Sequence, residues 1–320
     1  LTLGSTVSSF TVQKALNIAN GESLLSSGSS VINLSDTLTV ANGGKLTSGT
    51  GNVQISGALT LNGEMKQGGG TLNLTQAVTV GATGNLDASD SDGVSFGSTL
   101  NIVGGGKVSS GTGNTSLMGA LTLNGEIEQG GGTINLTQGG TVGATGKLDV
   151  SDSELKLGGA LNISGTLAAN SDSQWSGWSG TLDLTAGTLE AAGGSLSLSQ
   201  ISTGANTTLK LSADTEITSA SNYTFGTVNL SGKKLTMGGN GGLTLPNALT
   251  MTAGSKIETK TSDLTLSSAL QLGTGSITST GGTFIFSGGA TLSNSGQLDV
   301  SGTNLKVSQA LNLSGGHHQQ

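Results

Sequence analysis

Apolar and polar residues alternate along this chain in short runs, and glycine closes each run. The stretch from Gly57 to Gln76 reads GALTLNGEMKQGGGTLNLTQ. Its runs Leu59-Thr60-Leu61 and Leu72-Asn73-Leu74 have the period of two that half-buried strands require. Helix is not expected, because glycine recurs every few residues and each one inside a helix costs about 1 kcal/mol relative to alanine. The pattern therefore predicts short strands joined by tight turns.

The stretch returns almost unchanged at Gly119 to Gln138. When the chain is shifted by 62 positions, 36 of the 52 residues from 40 to 91 are identical to those from 102 to 153. Fixed periods are typical of solenoids, in which one repeat cannot bury its apolar face alone. The repeat unit divides into three segments of similar length, which are 58–76, 77–98 and 99–119.

Coils open with a common motif, a small residue followed by an apolar-polar-apolar triplet, which we call the triplet motif. Its copies begin at Ala15, Ala58, Ala120, Ala160, Ala248, Ala269 and Ala310. We expect each strand to pair in parallel with its equivalent one coil later, because an antiparallel meander would not preserve one motif per turn. The sequence therefore predicts an all-β fold, a parallel β-helix (β-solenoid) of about 15 coils of 19–22 residues.

The alternation also predicts which side chains form the core. Thr60 and Thr122 should face solvent, because neighbouring residues of a strand point to opposite sides. The residues predicted to point inward in stacked rows are Leu38, Val40, Leu59, Leu61, Val78, Val80, Leu100, Ile102, Leu121 and Leu123.

Asn-Gly pairs follow several strands and predict the corners of the coils. They occur at Asn20-Gly21, Asn42-Gly43, Asn62-Gly63 and Asn124-Gly125. Glycine and asparagine adopt positive φ at low cost, so we expect a left-handed backbone conformation at each of these corners.

The repeat is regular in two parts of the chain and loosens between them. We predict regular solenoid coils over 1–166, irregular coils over 167–226, and regular coils again over 227–316, all in one continuous solenoid. The irregular part contains Trp175, Trp178, Tyr223 and Phe225, half of the eight aromatic residues. Residues 317–320 form a tail that contains the only two histidines, His317 and His318. We interpret these histidines as part of a chain end and not as metal ligands.

Composition excludes several classes of protein. Glycine makes up 56 of 320 residues, but there is one proline and no sustained Gly-X-Y period, so collagen is excluded. Only 10% of residues are charged and 33% are apolar, which agrees with the thin core of a solenoid. The net charge of −7 disfavours nucleic acid as a partner. No apolar run reaches the roughly 18 residues of a membrane span.

These features together resemble a known class of surface proteins. Coils of about 20 residues with the phrases GALTLNG, GGTLNLTQ and GNLDAS, and with no cysteine, look like the secreted β-helical regions of Gram-negative surface proteins. The likeness is to the filamentous-haemagglutinin and autotransporter-passenger type of adhesin. The resemblance implies a right-handed parallel β-helix, exported to the bacterial cell surface as an extracellular stalk or adhesin shaft.

Two groups of residues are candidate ligand sites. The acidic turn with Asp87, Asp90 and Asp92 could collect a calcium ion through carboxylate oxygens, but it lacks the EF-hand pattern, and a solvated turn is the favoured interpretation. Trp175 and Trp178, with Tyr223, could stack on a sugar ring. The alternative for the two tryptophans is packing beneath an irregular coil.

The sequence favours a structural protein over an enzyme. It predicts no catalytic residues and no cofactor apart from the candidate calcium ion. The expected partners are copies of the chain itself, end to end or side by side, and host or matrix glycans. Two alternatives remain. A carbohydrate-active β-helix enzyme would need clustered carboxylates with a basic residue. An ice-binding solenoid would need a flat threonine array, but the chain offers a single file: Asn17, Thr39, Thr60, Thr79, Asn101, Thr122, Thr141 and Asn162.

Overall fold

The fold is built from short β-strands. A computed structural model describes residues 1–170, 172–175, 178–198, 200–292, 296–313 and 318–319. These residues contain β-strands and no helix. The predicted all-β class is therefore confirmed. His317 and part of the predicted tail lie outside the described residues.

The chain divides into two compact units. The N-terminal unit comprises Leu1–Leu167 and Ser173–Leu182, and the C-terminal unit comprises Ala168–Asp172 and Asp183–Gln320. The division of the chain into regular and irregular coils stays a prediction.

The strands lying wholly or partly in the N-terminal unit are β1 (Thr2–Leu3), β2 (Ser9–Val12), β3 (Leu16–Ile18), β4 (Ser23–Ser26), β5 (Val31–Leu34), β6 (Leu38–Val40), β7 (Lys45–Ser48), β8 (Val53–Ile55), β9 (Leu59–Leu61), β10 (Glu64–Gln67), β11 (Thr71–Leu74), β12 (Val78–Val80), β13 (Asn85–Ala88), β14 (Gly93–Phe96), β15 (Leu100–Ile102), β16 (Lys107–Ser110), β17 (Asn114–Leu117), β18 (Leu121–Leu123), β19 (Glu126–Gln129), β20 (Thr133–Leu136), β21 (Gly140–Val142), β22 (Lys147–Asp149), β23 (Glu154–Leu157), β24 (Leu161–Ile163), β25 (Thr166–Ala169), β26 (Gln174–Trp175) and β27 (Leu182–Asp183).

The remaining strands are β28 (Thr188–Ala191), β29 (Gly194–Leu196), β30 (Ile201–Ser202), β31 (Thr208–Leu211), β32 (Thr215–Ile217), β33 (Tyr223–Thr224), β34 (Thr227–Asn229), β35 (Lys234–Met237), β36 (Leu243–Leu245), β37 (Leu249–Met251), β38 (Lys256–Thr259), β39 (Leu264–Leu266), β40 (Leu270–Leu272), β41 (Ser276–Ser279), β42 (Thr283–Phe286), β43 (Ala290–Leu292), β44 (Gln297–Asp299), β45 (Asn304–Val307), β46 (Leu311–Leu313) and β47 (His318–Gln319).

In the N-terminal unit each coil gives one strand to each of three parallel sheets. Face A runs β1-β4-β7-β10-β13-β16-β19-β22, face B runs β2-β5-β8-β11-β14-β17-β20-β23-β26, and face C runs β3-β6-β9-β12-β15-β18-β21-β24. Strands three apart in the chain are therefore neighbours in space. This is a parallel β-solenoid, as the repeat predicts.

The register agrees with the predicted division into coils. On face C, Thr60 pairs with Thr79, and Thr79 pairs with Asn101. Asn101 in turn pairs with Thr122, so each predicted segment of the repeat unit forms one full turn. All ten residues predicted to point inward are buried, and Thr60 and Thr122 are exposed. The predicted core is thus confirmed, with rows of Leu, Val and Ile stacked between coils.

The C-terminal unit stacks its strands in the same parallel manner. Its stacks are β28-β31-β34, β29-β32-β35-β38-β41-β44-β47, β33-β36-β39-β42-β45 and β37-β40-β43-β46. The third stack begins at β33, in the part of the sequence where the period loosens. There Tyr223 and Phe225 lie in the core with their rings 6.3 Å apart and nearly parallel. These aromatic side chains fill the interior of the coil at which the new stack starts.

Glycine is required at the corners for two different reasons. Gly21 and Gly43 adopt the predicted positive φ, at 76° and 80°. Gly63 and Gly125 do not, so the prediction of left-handed conformation is wrong there. At Gly63 a Cβ would collide with the carbonyl oxygens of Gly44 and Ala41 in the preceding coil. Close stacking of the coils, and not φ, therefore demands glycine at this corner.

Buried glutamine side chains satisfy the backbone at the corner between faces A and B. The Gln67 amide accepts a hydrogen bond from Ser48 Oγ at 2.7 Å and donates to the carbonyl oxygen of Gly51 at 2.8 Å. Gln129, its equivalent in the next copy of the repeat, accepts from Ser110 Oγ and donates to the carbonyl oxygen of Gly113 at 2.8 Å. Both glutamines are almost fully buried. Each glutamine therefore provides hydrogen-bond partners, in place of water, to groups that would otherwise be buried without any.

Candidate functional site

The predicted tryptophan pair forms, but it does not present one flat platform. Trp175 ends β26, which pairs with β23, and its ring lies edge-on to that of Trp178 at 5.8 Å and 87°. Both residues are half-buried. Trp178 Nε1 donates a hydrogen bond to the carbonyl oxygen of Leu155 at 2.6 Å, which fixes its ring against the coil. Because the two rings are perpendicular, a sugar ring can lie in the angle between them but cannot stack on both at once.

Tyr223 does not belong to this pair. Its side chain is 1% exposed, and its hydroxyl donates to Ser219 Oγ at 2.7 Å. Burial raises the pKa of this hydroxyl. A ring buried to this degree has no face for a sugar, so Tyr223 is removed from the predicted glycan site. The ring packs in the core beside Phe225.

The acidic turn is organised around a lysine. Lys66 Nζ lies 3.4 Å from Asp87 Oδ2 and 3.3 Å from Asp90 Oδ2, while Asp92 is exposed. Partial burial opposes ionisation of Asp87, but hydrogen bonds from Ser89 and the charge of Lys66 outweigh it and lower the pKa of Asp87. Among the described residues, no group of three or more acidic, histidine or cysteine side chains could hold a metal ion. The three aspartates therefore do not converge as the calcium prediction requires.

Charged side chains are segregated on face A of the N-terminal unit. Its strands carry four lysines, Lys45, Lys66, Lys107 and Lys147, and five acidic residues, Glu64, Asp87, Glu126, Glu128 and Asp149. No strand of face C carries a charge, and on face B the only charged strand residues are Glu154 and Lys156. Two of the three faces are thus almost entirely uncharged.

Most ion pairs on face A join neighbouring coils. Lys45 Nζ lies 2.8 Å from Glu64 Oε2, and Glu126 lies between Lys107 at 3.6 Å and Lys147 at 3.4 Å. Exposed pairs of this kind are each worth roughly 0–1 kcal/mol. The sequence analysis did not identify this surface. A signal was present, because a charged residue follows the corner glycine in coil after coil, as at Lys45, Glu64 and Lys107.

Comparison with known proteins does not assign the chain to a family. No protein-family model, curated protein or solved structure matches the chain. In the described part of the chain, no helix has the length and apolar character needed to cross a membrane.

Proposed function

We propose that this chain is a structural surface protein, the shaft of an extracellular stalk or adhesin on a bacterial cell. One observation carries the proposal. Coil after coil pairs its backbone with the next, while the outer positions of face C hold small polar side chains, as in the row from Thr39 to Thr122. Such a wall is soluble and self-supporting, and it lacks the concentrated aromatic or charged anchors that dominate binding energy.

The resemblance to filamentous-haemagglutinin-like and autotransporter-passenger-like adhesins supports the extracellular setting. The absence of cysteine agrees with it, because such a chain crosses oxidising compartments without mispairing. Specific contact with host or matrix glycans is assigned to Trp175 and Trp178. They are a half-buried aromatic pair with partly exposed rings.

A glycan array tests the adhesin part of the proposal. The wild type should bind at least one glycan, and the double variant Trp175→Ala/Trp178→Ala should lose that binding. Phe284→Leu, a change at a fully buried position in the C-terminal unit, is the matched control and should retain it. Unchanged binding by the double variant would remove the tryptophan pair from the site.

Labelling of intact cells tests the location. Antibodies against the chain should stain unpermeabilised cells of the source organism, and added protease should remove the signal. Staining only after permeabilisation would contradict the proposal. Turnover of a polysaccharide by the purified chain would replace it with the enzyme alternative, and thermal hysteresis of freezing would replace it with the ice-binding one.

A further inference from the structure

One column of uncharged polar side chains runs along face B of the N-terminal unit. We call it the amide-hydroxyl column. Its members are paired in register from each coil to the next: Asn33, Gln54, Asn73, Ser95, Ser116 and Asn135. Because they belong to successive parallel strands, neighbours lie about 4.8 Å apart.

The side chains of the column are half-buried, but their hydrogen-bonding groups are not used within the unit. Each of the six residues is half-buried by its neighbours. Among the described residues, none of these side chains forms a hydrogen bond. Because neighbouring coils already restrict these half-buried side chains, fixing them on binding costs less side-chain entropy, and their amide and hydroxyl groups are available to a partner.

The distribution of charge over the three faces favours a second copy of the chain as the partner of face B. The chain has a net charge of −7, and local repulsion between two copies is smallest where the surfaces that meet carry no charge. Face A holds most of the charges of the strands in this unit, whereas face B is uncharged from β2 to β20. Face C is also uncharged, but each of its three-residue strands turns one side chain outward, while most strands of face B turn two, such as Thr71 and Asn73.

We propose that face B of one copy docks on face B of a second copy, so that the two amide-hydroxyl columns interdigitate. The same patch on both copies makes a closed two-fold contact. Stacked Asn, Gln, Ser and Thr side chains pack in this way between sheets of low charge. The inference deepens the proposed structural role and rests on it, because side-by-side pairing would bundle shafts at a cell surface.

The area sets the strength of the contact. The seven uncharged strands of face B, from β2 to β20, at about 4.8 Å spacing and with a length of up to about 13 Å, give roughly 440 Å² per copy and about 900 Å² in total. This lies in the range of weak, transient contacts and below that of stable interfaces. The expected dimer is therefore weak and reversible, with association that rises over the micromolar to millimolar range.

Sedimentation velocity over a concentration series tests the inference. The wild type should show a reversible monomer-dimer equilibrium. Asn73→Lys/Ser116→Lys places like charges in both columns and should weaken association at least tenfold. The matched control, Thr60→Lys/Thr122→Lys, adds the same two charges to exposed positions on face C and should associate as the wild type does.

A second double variant distinguishes a loss of association from misfolding of the unit. Asn73→Asp/Asn135→Asp changes shape very little and should also weaken association, with circular dichroism unchanged. Association of both face B variants at wild-type strength would overturn the inference, and so would loss of association in the face C control. A wild type that is folded but monomeric at about 1 mM would overturn it as well. That last result leaves the proposed shaft standing, since cell labelling and glycan binding test the shaft separately.

Discussion

At the scale of single residues, the two sides of a strand should respond differently to the same substitution. Leu121 is buried in its row, whereas Thr122 points to solvent. Leu121→Ala removes buried apolar volume that the stacked neighbours Leu100 and Gly140 cannot refill, and should cost roughly 2–5 kcal/mol. Thr122→Ala should change the free energy of unfolding by less than about 0.5 kcal/mol. Urea denaturation measures both, and equal costs would contradict the alternation.

The buried glutamines make a second residue-scale prediction. Gln129→Met keeps the volume but leaves the Ser110 hydroxyl without its acceptor and the carbonyl oxygen of Gly113 without its donor. Leaving such groups buried and unpaired should lower the free energy of unfolding by roughly 1–3 kcal/mol. Gln76→Met is the control, because Gln76 is exposed. If the two variants melt alike, the corner network does not contribute to stability.

Asp149 provides a prediction for the pH dependence. Partial burial opposes its ionisation, but hydrogen bonds from Ser151 and the charge of Lys147 outweigh this and hold the pKa of Asp149 below its ordinary value of 3.8. A lowered pKa stabilises the fold above the ordinary value, and that contribution is lost as the pH falls through the folded-state pKa.

Asp149→Asn should therefore be less stable than the wild type at pH 7, and the difference should shrink as the pH falls below about 4. Asp92→Asn, at an exposed position, should show no comparable loss at pH 7. Urea denaturation at pH 7, 5 and 3 measures the difference. A gap between Asp149→Asn and wild type that stays constant with pH would mean that the carboxylate charge is not responsible.

At the scale of strands and coils, the register predicts which deletions are tolerated. Deleting 58–119 removes three complete coils and joins Gly57 to Ala120, the same two residue types that meet at Gly119-Ala120. This variant should fold and melt cooperatively. Deleting 58–67 removes part of one coil and shifts later side chains out of their rows, so cooperative melting should be lost. Similar melting curves for the two variants, followed by circular dichroism, would contradict the stacked register.

The sequence could predict these elements because each coil repeats a local pattern. The alternation at Leu59-Thr60-Leu61 determines both the strand and its buried side, and the spacing of the repeats determines the stacking partner. The role of Gly63 could not be predicted in this way. Its requirement comes from the carbonyl oxygens of Gly44 and Ala41 in another coil, a contact that no local pattern encodes.

At the scale of the whole molecule, the candidate site was less predictable than the fold. The sequence places Tyr223 and Trp175 together where the period loosens, but the fold buries the first and leaves the second half-exposed. Similarly, the sequence predicts that the aspartates of one turn act together, whereas Asp87 and Asp90 are paired with Lys66 from the preceding coil. Partners across coils decide the chemistry of a side chain, and sequence neighbours do not reveal them.

In this solenoid each coil advances the structure by one strand spacing, about 4.8 Å. The protein contains no cysteine, so spin labels can be attached at introduced cysteines alone. Thr39 and Thr122 lie on face C four coils apart, and Thr39 and Asn162 lie six coils apart. Double electron-electron resonance should give narrow distributions near about 19 Å and about 29 Å, an increase of about 4.8 Å per coil. Distances that do not grow with the number of coils would contradict the solenoid.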